Sequence, residues 1–222
     1  MAPIVKTPSP LAASVLPSFV ATAELRGFRG AIDLPEADQA HLRTASRKRR
    51  DEFAAGRLCA SAALKALGAS TVHVGRQTGG APIWPEGMIG SISHTDDVAV
   101  AAATPSRMAR AIGLDIEQVG AVQPDTWGII FSDIERQRLS EAGPKAQGRL
   151  ATALFAAKEA FYKAQWPVTQ EWLDFMDVEI DVDGTAFSVI PRARRAWTKC
   201  FGGRLTGRLA ETKDVIIAAV LA

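Results

Sequence analysis

Two short segments carry side chains whose types and spacing could do chemistry. In "IGLDIE", Asp115 and Glu117 are two apart, so on a strand they point to one face while Ile116 points to the other. Two carboxylates held together repel unless a cation or protons neutralise them. They lack the lysine or arginine neighbours that a structural salt bridge would need. In "FAAKEAFYK", Glu159 and Lys163 stand at i and i+4 on a helix that reads as apolar on both sides, where charges call for a reason. With Glu159 brought in, three hard oxygen donors would suit Mg²⁺, completed by phosphate oxygens and waters. Zinc or iron would be served poorly, since His and Cys ligands are missing. Lys158 and Lys163 could neutralise a phosphate held by the metal. Against this stand a solvated strand face for the carboxylates and an ordinary helix pair for Glu159 and Lys163.

A third segment, "SISHTDDVAVAAA", puts Ser93 and His94 side by side at the end of a strand. His94 is either a packed histidine or, with the Ser93 hydroxyl, a donor pair for an anion. On the preceding helix, Arg49, Phe53, Arg57, Ala60, Leu64 and Leu67 fall within an arc of roughly 80°. Arg49 and Arg57 thus share a face with core residues, either snorkelling to water or reaching towards phosphate. The rest of "RKRR" reads as a solvated helix face.

These residues need elements to carry them. The prolines at 3, 8, 10 and 17 predict an extended or disordered arm over residues 1–18. A helical region is expected to follow, its clear stripe running from about Ser46 to Gly68. Strands are expected at "TVHVGR", "GSISHT", "VAVAAAT" and "AIGLDIEQV". In "FSDIERQRLSEAG", Ser132 and Glu135 form a capping box, and Gly143-Pro144 ends the helix. A long helix over about Ala146–Trp166 is stopped by Pro167, and four strands close the chain. The order suggests two similar α+β halves, 19–110 and 111–222, the second bearing the acidic residues.

Composition excludes several classes. The net charge of +2 argues against a wholesale nucleic-acid or membrane binder, and 47% apolar residues suit an ordinary globular protein. Cys59 and Cys200 form no C-x-x-C motif, and the longest apolar runs are strand-length. A cytoplasmic monomer is the expectation. "EIDVDG" is a hairpin and not a calcium loop, and "GGRLTGR" lacks the ending of a P-loop.

The segments "KRRDEFAAGRLCASAAL", "PIWPEGMIGSISHT", "IGLDIE" and "FAAKEAFYKAQWP", in this order over residues 48–167, resemble the 4'-phosphopantetheinyl transferases of the monomeric enterobactin and surfactin type. The resemblance implies an α+β fold of two similar halves with pseudo-twofold symmetry and coenzyme A bound in the cleft between them. It implies transfer of the phosphopantetheine arm of coenzyme A to a serine of an apo acyl or peptidyl carrier protein, releasing adenosine 3',5'-bisphosphate. Mg²⁺, or Mn²⁺ in its place, would be held by Asp115, Glu117 and Glu159. Glu159 would also be the base, directly or through water. Lys158 and Lys163 would lie near the pyrophosphate, Ser93 and His94 at the 3'-phosphate, with Arg49 and Arg57 facing phosphates. The chain departs from the pattern in having Phe155, Ala156 and Ala157 where Trp and Ser often precede the lysine. It also has Gly79 where a basic residue is common, with Arg76 nearby as a substitute. The alternatives are a Mg²⁺-dependent phosphohydrolase or nuclease using the same carboxylates, and a nucleic-acid module built on "SRKRR".

Overall fold

A computed structural model of the chain describes residues 4–30, 42–193 and 195–222. It is α+β, and it divides into two units, Met1–Met108 and Ala109–Ala222.

In the first unit, β1 (Ala21–Arg26), β5 (Val98–Pro105) and β4 (Met88–His94) form an antiparallel sheet in the order β1-β5-β4. A small hairpin, β2 (Gly75–Arg76) and β3 (Pro82–Ile83), stands apart from it. Helix α2 (Arg47–Ala66) packs on the sheet. The Ser46 side chain accepts from the Arg49 N–H at its start, and Gly68 follows its end at positive φ. Its buried face, with Ala55, Cys59, Ala63 and Leu64, meets Ala23 and Leu25 of β1 and the alanines 99, 101 and 103 of β5. Small residues on both sides allow close approach. Gly56 is part of this: a Cβ there would stand 2.8 Å from Ile92 Cγ2.

Three expectations change here. The predicted arm is, over residues 4–18, a packed segment. Lys6 bridges Glu24 of β1, the short helix α1 (Ala12–Val15) follows, and Ser9, Leu11, Val15 and Leu16 are buried. Ser9 Oγ donates to Glu24 Oε2 at 2.9 Å and accepts from the Ala12 N–H. Prolines bar regular structure but not burial. The region expected to be helical begins instead with β1, whose "ATAELR" has helix-forming residues that pairing with β5 overrides. Residues 31–41 of that region lie outside those described. "TVHVGR" contributes only its last two residues to a strand.

In the second unit, β6 (Ile112–Gln118), β10 (Val215–Leu221), β9 (Leu205–Glu211), β8 (Ala186–Pro191) and β7 (Val178–Asp183) form an antiparallel sheet in that order. Helices α3 (Trp127–Ile130), α4 (Asp133–Glu141), α5 (Gly143–Thr169) and α6 (Ala196–Cys200) complete it. The capping box of Ser132 and Glu135 opens α4, as expected. Helix α5 runs past Pro167, which sits in the last turn, and Gln170 ends it in a left-handed conformation. It lies along β6 and β10, with Leu154, Phe161 and Ala164 buried in a core shared with Phe131, Trp197 and Val220. Among the described residues, no helix is long and apolar enough to cross a membrane.

The approach of α5 to β6 is set by one residue. A Cβ on Gly113 would lie 1.8 Å from Ala160 O and 2.7 Å from Ala164 N, so helix backbone rests directly on strand backbone. Since side chains alternate along a strand, Asp115 and Glu117 follow Gly113 on the face turned to α5.

Gly113→Ala forces α5 away from β6. Overpacking of this kind costs about 1–3 kcal/mol. Urea denaturation should show a lowered midpoint, whereas an unchanged midpoint would mean that the helix is not pinned there.

Candidate active site

The face of β6 beyond Gly113 meets the polar residues of α5. Lys163 Nζ stands 2.5 Å from Asp115 Oδ1. Asp115 is buried and the Lys163 side chain is 31% exposed, so the pair sits at a rim and not in the interior. Sequence reasoning saw no basic partner for Asp115, because that partner comes from 48 residues away. Burial pushes Glu117 up to about 8, and Asp115 and Glu159 add to this while Lys163 opposes it. Glu159 is also raised, first by burial. Burial alone would lower Lys163, but Asp115, Glu159 and Glu117 outweigh it and hold its ammonium above the ordinary range. Asp115, Glu117, Glu159 and Lys163 therefore form one electrostatic group, in which three carboxyl groups face one cation.

This group fits Mg²⁺ in kind: its donors are all carboxyl oxygens, and a divalent cation would relieve the repulsion that raises Glu117. As the side chains stand, Lys163 is set against Asp115. Among the described residues, no three His, Cys, Asp or Glu side chains are arranged to hold a metal ion.

Around Glu159 lies an aromatic stripe that sequence reasoning described only as one apolar side of the helix. Phe155, Glu159, Tyr162 and Trp166 follow at +4, +3 and +4, which places them on one face of α5. Phe175 packs against Phe155 and Tyr162, with ring centroids 5.7 and 5.4 Å away, and the Tyr162 hydroxyl donates to Asp174 O. Trp166 meets Trp172, which is 85% exposed. The stripe is half-buried and ends in an open tryptophan.

Lys158 is placed elsewhere. Its side chain is fully buried, and Nζ lies 2.8 Å from Glu135 Oε2 while donating to the carbonyls of Ile130, Phe175 and Val178. Glu135 accepts in addition from the N–H groups of Ser132 and Ile180. Burial lowers Lys158 against the pull of Glu135. The ammonium is thus engaged by the Glu135 carboxylate and three carbonyls, and the structure does not bring Lys158 into the group of Asp115, Glu117, Glu159 and Lys163. Here it ties α5 to the start of α4 and to β7.

The first unit supplies a basic group. Arg47, Lys48, Arg49 and Arg50 fill the first turn of α2 with no acidic residue among them, where the helix dipole disfavours cations. Arg49 Nη1 stands 3.1 Å from His94 Nε2 and 3.6 Å from Glu52 Oε2. His94 Nδ1 is 3.9 Å from the same carboxylate oxygen. Lys48 and Arg29 are both paired with Asp96. Arg57 lies two turns along α2, where it donates to Gly75 O and stacks on Phe53. Ser93 is buried and, by strand alternation, is on the opposite face from His94. The structure thus joins His94 to Arg49, with Ser93 the preceding residue of β4.

Two family models match the chain: the 4'-phosphopantetheinyl transferase N-terminal domain over residues 37–104, and the 4'-phosphopantetheinyl transferase superfamily over 111–217. The 4'-phosphopantetheinyl transferase Npt of Nocardia iowensis is 35% identical, over 79% of each chain. The chain belongs to the 4'-phosphopantetheinyl transferases. Svp of Streptomyces mobaraensis is 32% identical over 94% of this chain and 87% of its own, and PptT of Mycobacterium tuberculosis 35% over 80% and 81%. The enzyme's acidic group lies within the superfamily match, and the basic group within the N-terminal domain match.

Lys158 and Lys163 of this transferase are expected to respond differently. Lys158→Ala leaves Glu135 buried without its cation, which costs about 3–5 kcal/mol of stability. Lys163→Ala, whose side chain is 31% exposed, should lower the thermal midpoint less than Lys158→Ala while removing most transfer activity. Thermal denaturation beside a transfer assay separates them, and a stable Lys158→Ala would contradict the assignment.

Proposed function

We propose that this transferase moves the 4'-phosphopantetheine arm of coenzyme A to a serine hydroxyl of an apo acyl or peptidyl carrier protein, with Mg²⁺, releasing adenosine 3',5'-bisphosphate. The observation that carries the proposal is the grouping of Asp115, Glu117, Glu159 and Lys163 on the α5 face of β6.

Asp115, Glu117 and Glu159 would hold Mg²⁺, which when bound offsets negative charge on the pyrophosphate and on the departing bisphosphate. Lys163, the cation already in the group, would be shared between Asp115 and the phosphoryl oxygens and stabilise charge that develops on them. Glu159, whose proton affinity burial raises, would take the proton of the carrier serine, directly or through a water. The serine oxygen then bonds to the phosphorus that bears the pantetheine arm, and the bond from that phosphorus to the bridging oxygen breaks. Phe155, Tyr162 and Trp166, on the face that carries Glu159, offer an apolar surface along which the arm can lie while keeping water from the phosphorus. The basic group of the first unit, Arg49 and His94 with Arg57, would take the 3'-phosphate and neighbouring phosphates of coenzyme A.

Glu159→Gln keeps the shape of the side chain and removes the base. Release of adenosine 3',5'-bisphosphate, followed by chromatography with coenzyme A, Mg²⁺ and an apo carrier, should fall at least ~100-fold, in line with loss of general base catalysis. Calorimetry should still show coenzyme A binding. Near-normal release by the variant contradicts the role of Glu159, and release by the parent without any carrier would favour a phosphohydrolase.

A further inference from the structure

Lys158 adjoins Glu159 in the chain, and its ammonium holds the backbone behind the aromatic stripe. Two of its three carbonyls, Phe175 O at 2.8 Å and Val178 O at 3.1 Å, bracket the 3-10 turn Phe175–Asp177. The third, Ile130 O at 2.9 Å, ends α3, which packs on that turn. The lysine side chain is shut off from solvent, so water does not compete for these bonds.

Helix geometry puts Lys158 at the edge of the stripe. At 100° per residue it falls roughly 60° from Phe155 and roughly 40° from Tyr162, between them and the buried Leu154 and Phe161. Phe175 is thereby held at both ends, its carbonyl by Lys158 and its ring by Phe155 and Tyr162. The turn has other ties: Asp174 and Asp177 form a capping box, Asp174 O accepts from the Tyr162 hydroxyl, and Asp177 pairs with Arg195. Glu135 anchors the ammonium in turn, with Oε2 2.8 Å from Nζ and both oxygens accepting backbone N–H groups. A surface that receives a flexible chain binds it more tightly when the surface need not be ordered first.

We infer that Lys158 is a positioning residue for the pantetheine arm: through Phe175 O and Val178 O it sets the aromatic wall, so that the wall is formed before coenzyme A arrives. This rests on the reading that the arm lies along Phe155, Tyr162 and Trp166.

The test is calorimetry, with Mg²⁺, of two ligands that differ by the arm, coenzyme A and adenosine 3',5'-bisphosphate. The proteins are the parent, Lys158→Met, Lys158→Arg and Phe155→Ala. Lys158→Met removes the donors at similar volume, while Lys158→Arg keeps a cation beside Glu135 but cannot place its planar head as the ammonium is placed. Both should bind coenzyme A about tenfold more weakly, as when one or two side chains must be ordered on binding, and the bisphosphate within about twofold of the parent. Phe155→Ala should show the same selective loss. A role in stability alone would not separate the two ligands. If Phe155→Ala weakens coenzyme A and the lysine variants do not, the inference falls and the arm reading stands. If Phe155→Ala binds both ligands as the parent does, the arm reading falls and takes the inference with it. Equal weakening of both ligands by the lysine variants also overturns the inference. Should Lys158→Met fail to fold, Lys158→Arg decides the matter.

Discussion

A helix can lie only as close to a sheet as the atoms between them allow, and at Gly113 there are none to spare. With Ala160 O where a Cβ would stand, strand β6 and helix α5 are locked in both depth and register. Everything chemical in the second unit follows. The strand alternates, so Asp115 and Glu117 emerge on the same face as Gly113. The helix turns every 3.6 residues, so Glu159 and Lys163, which flank Ala160, come down beside them. Neither carboxylate pair nor lysine needs its own scaffold, since a single backbone contact positions all four.

The same helix shows how burial decides what a lysine is for. Lys158 and Lys163 are five residues apart, and both belong to "AAKEAFYKA". Lys158 follows Leu154 and precedes Phe161 on the inward face, where its charge is spent on Glu135 and three carbonyls. Lys163 ends at the rim, against a group of three carboxyls. A buried ion pair with all its hydrogen bonds made gives rigidity, while the proposed function asks the partly exposed Lys163 to be shared with a phosphate. The aromatic stripe completes the division, with Glu159 presented among rings while Lys158, its neighbour in sequence, points inward.

Features governed by neighbours in sequence were legible. The capping box of Ser132 and Glu135, the Ser46 start of α2 and the strand–turn–strand around Thr95 each depend on a few adjacent residues. The motif residues Asp115, Glu117, Glu159 and Lys163 could be named, but the partner of Asp115 could not, because alternation specifies a face and not what covers it. For Lys158 a signal was present: its spacing from Leu154 and Phe161 puts it on the core side, where a lysine must find a carboxylate, and Glu135 was already marked. The N-terminal segment misled because proline content speaks to regular structure. Burial of Ser9 and Leu11 depends on Glu24 and the sheet, which only the folded chain brings together. Strand β1 misled for a related reason, since propensity yields to pairing.

The measurement that tests the central claim most directly is intact mass spectrometry of an apo carrier protein incubated with this protein, coenzyme A and Mg²⁺, with a parallel sample in EDTA. The account predicts that the carrier gains one phosphopantetheine on its serine with Mg²⁺ present and gains none in EDTA. No gain on acyl or peptidyl carriers, with coenzyme A shown to be bound, would contradict the proposed acceptor, and gain undiminished by EDTA would contradict the role given to the three carboxylates.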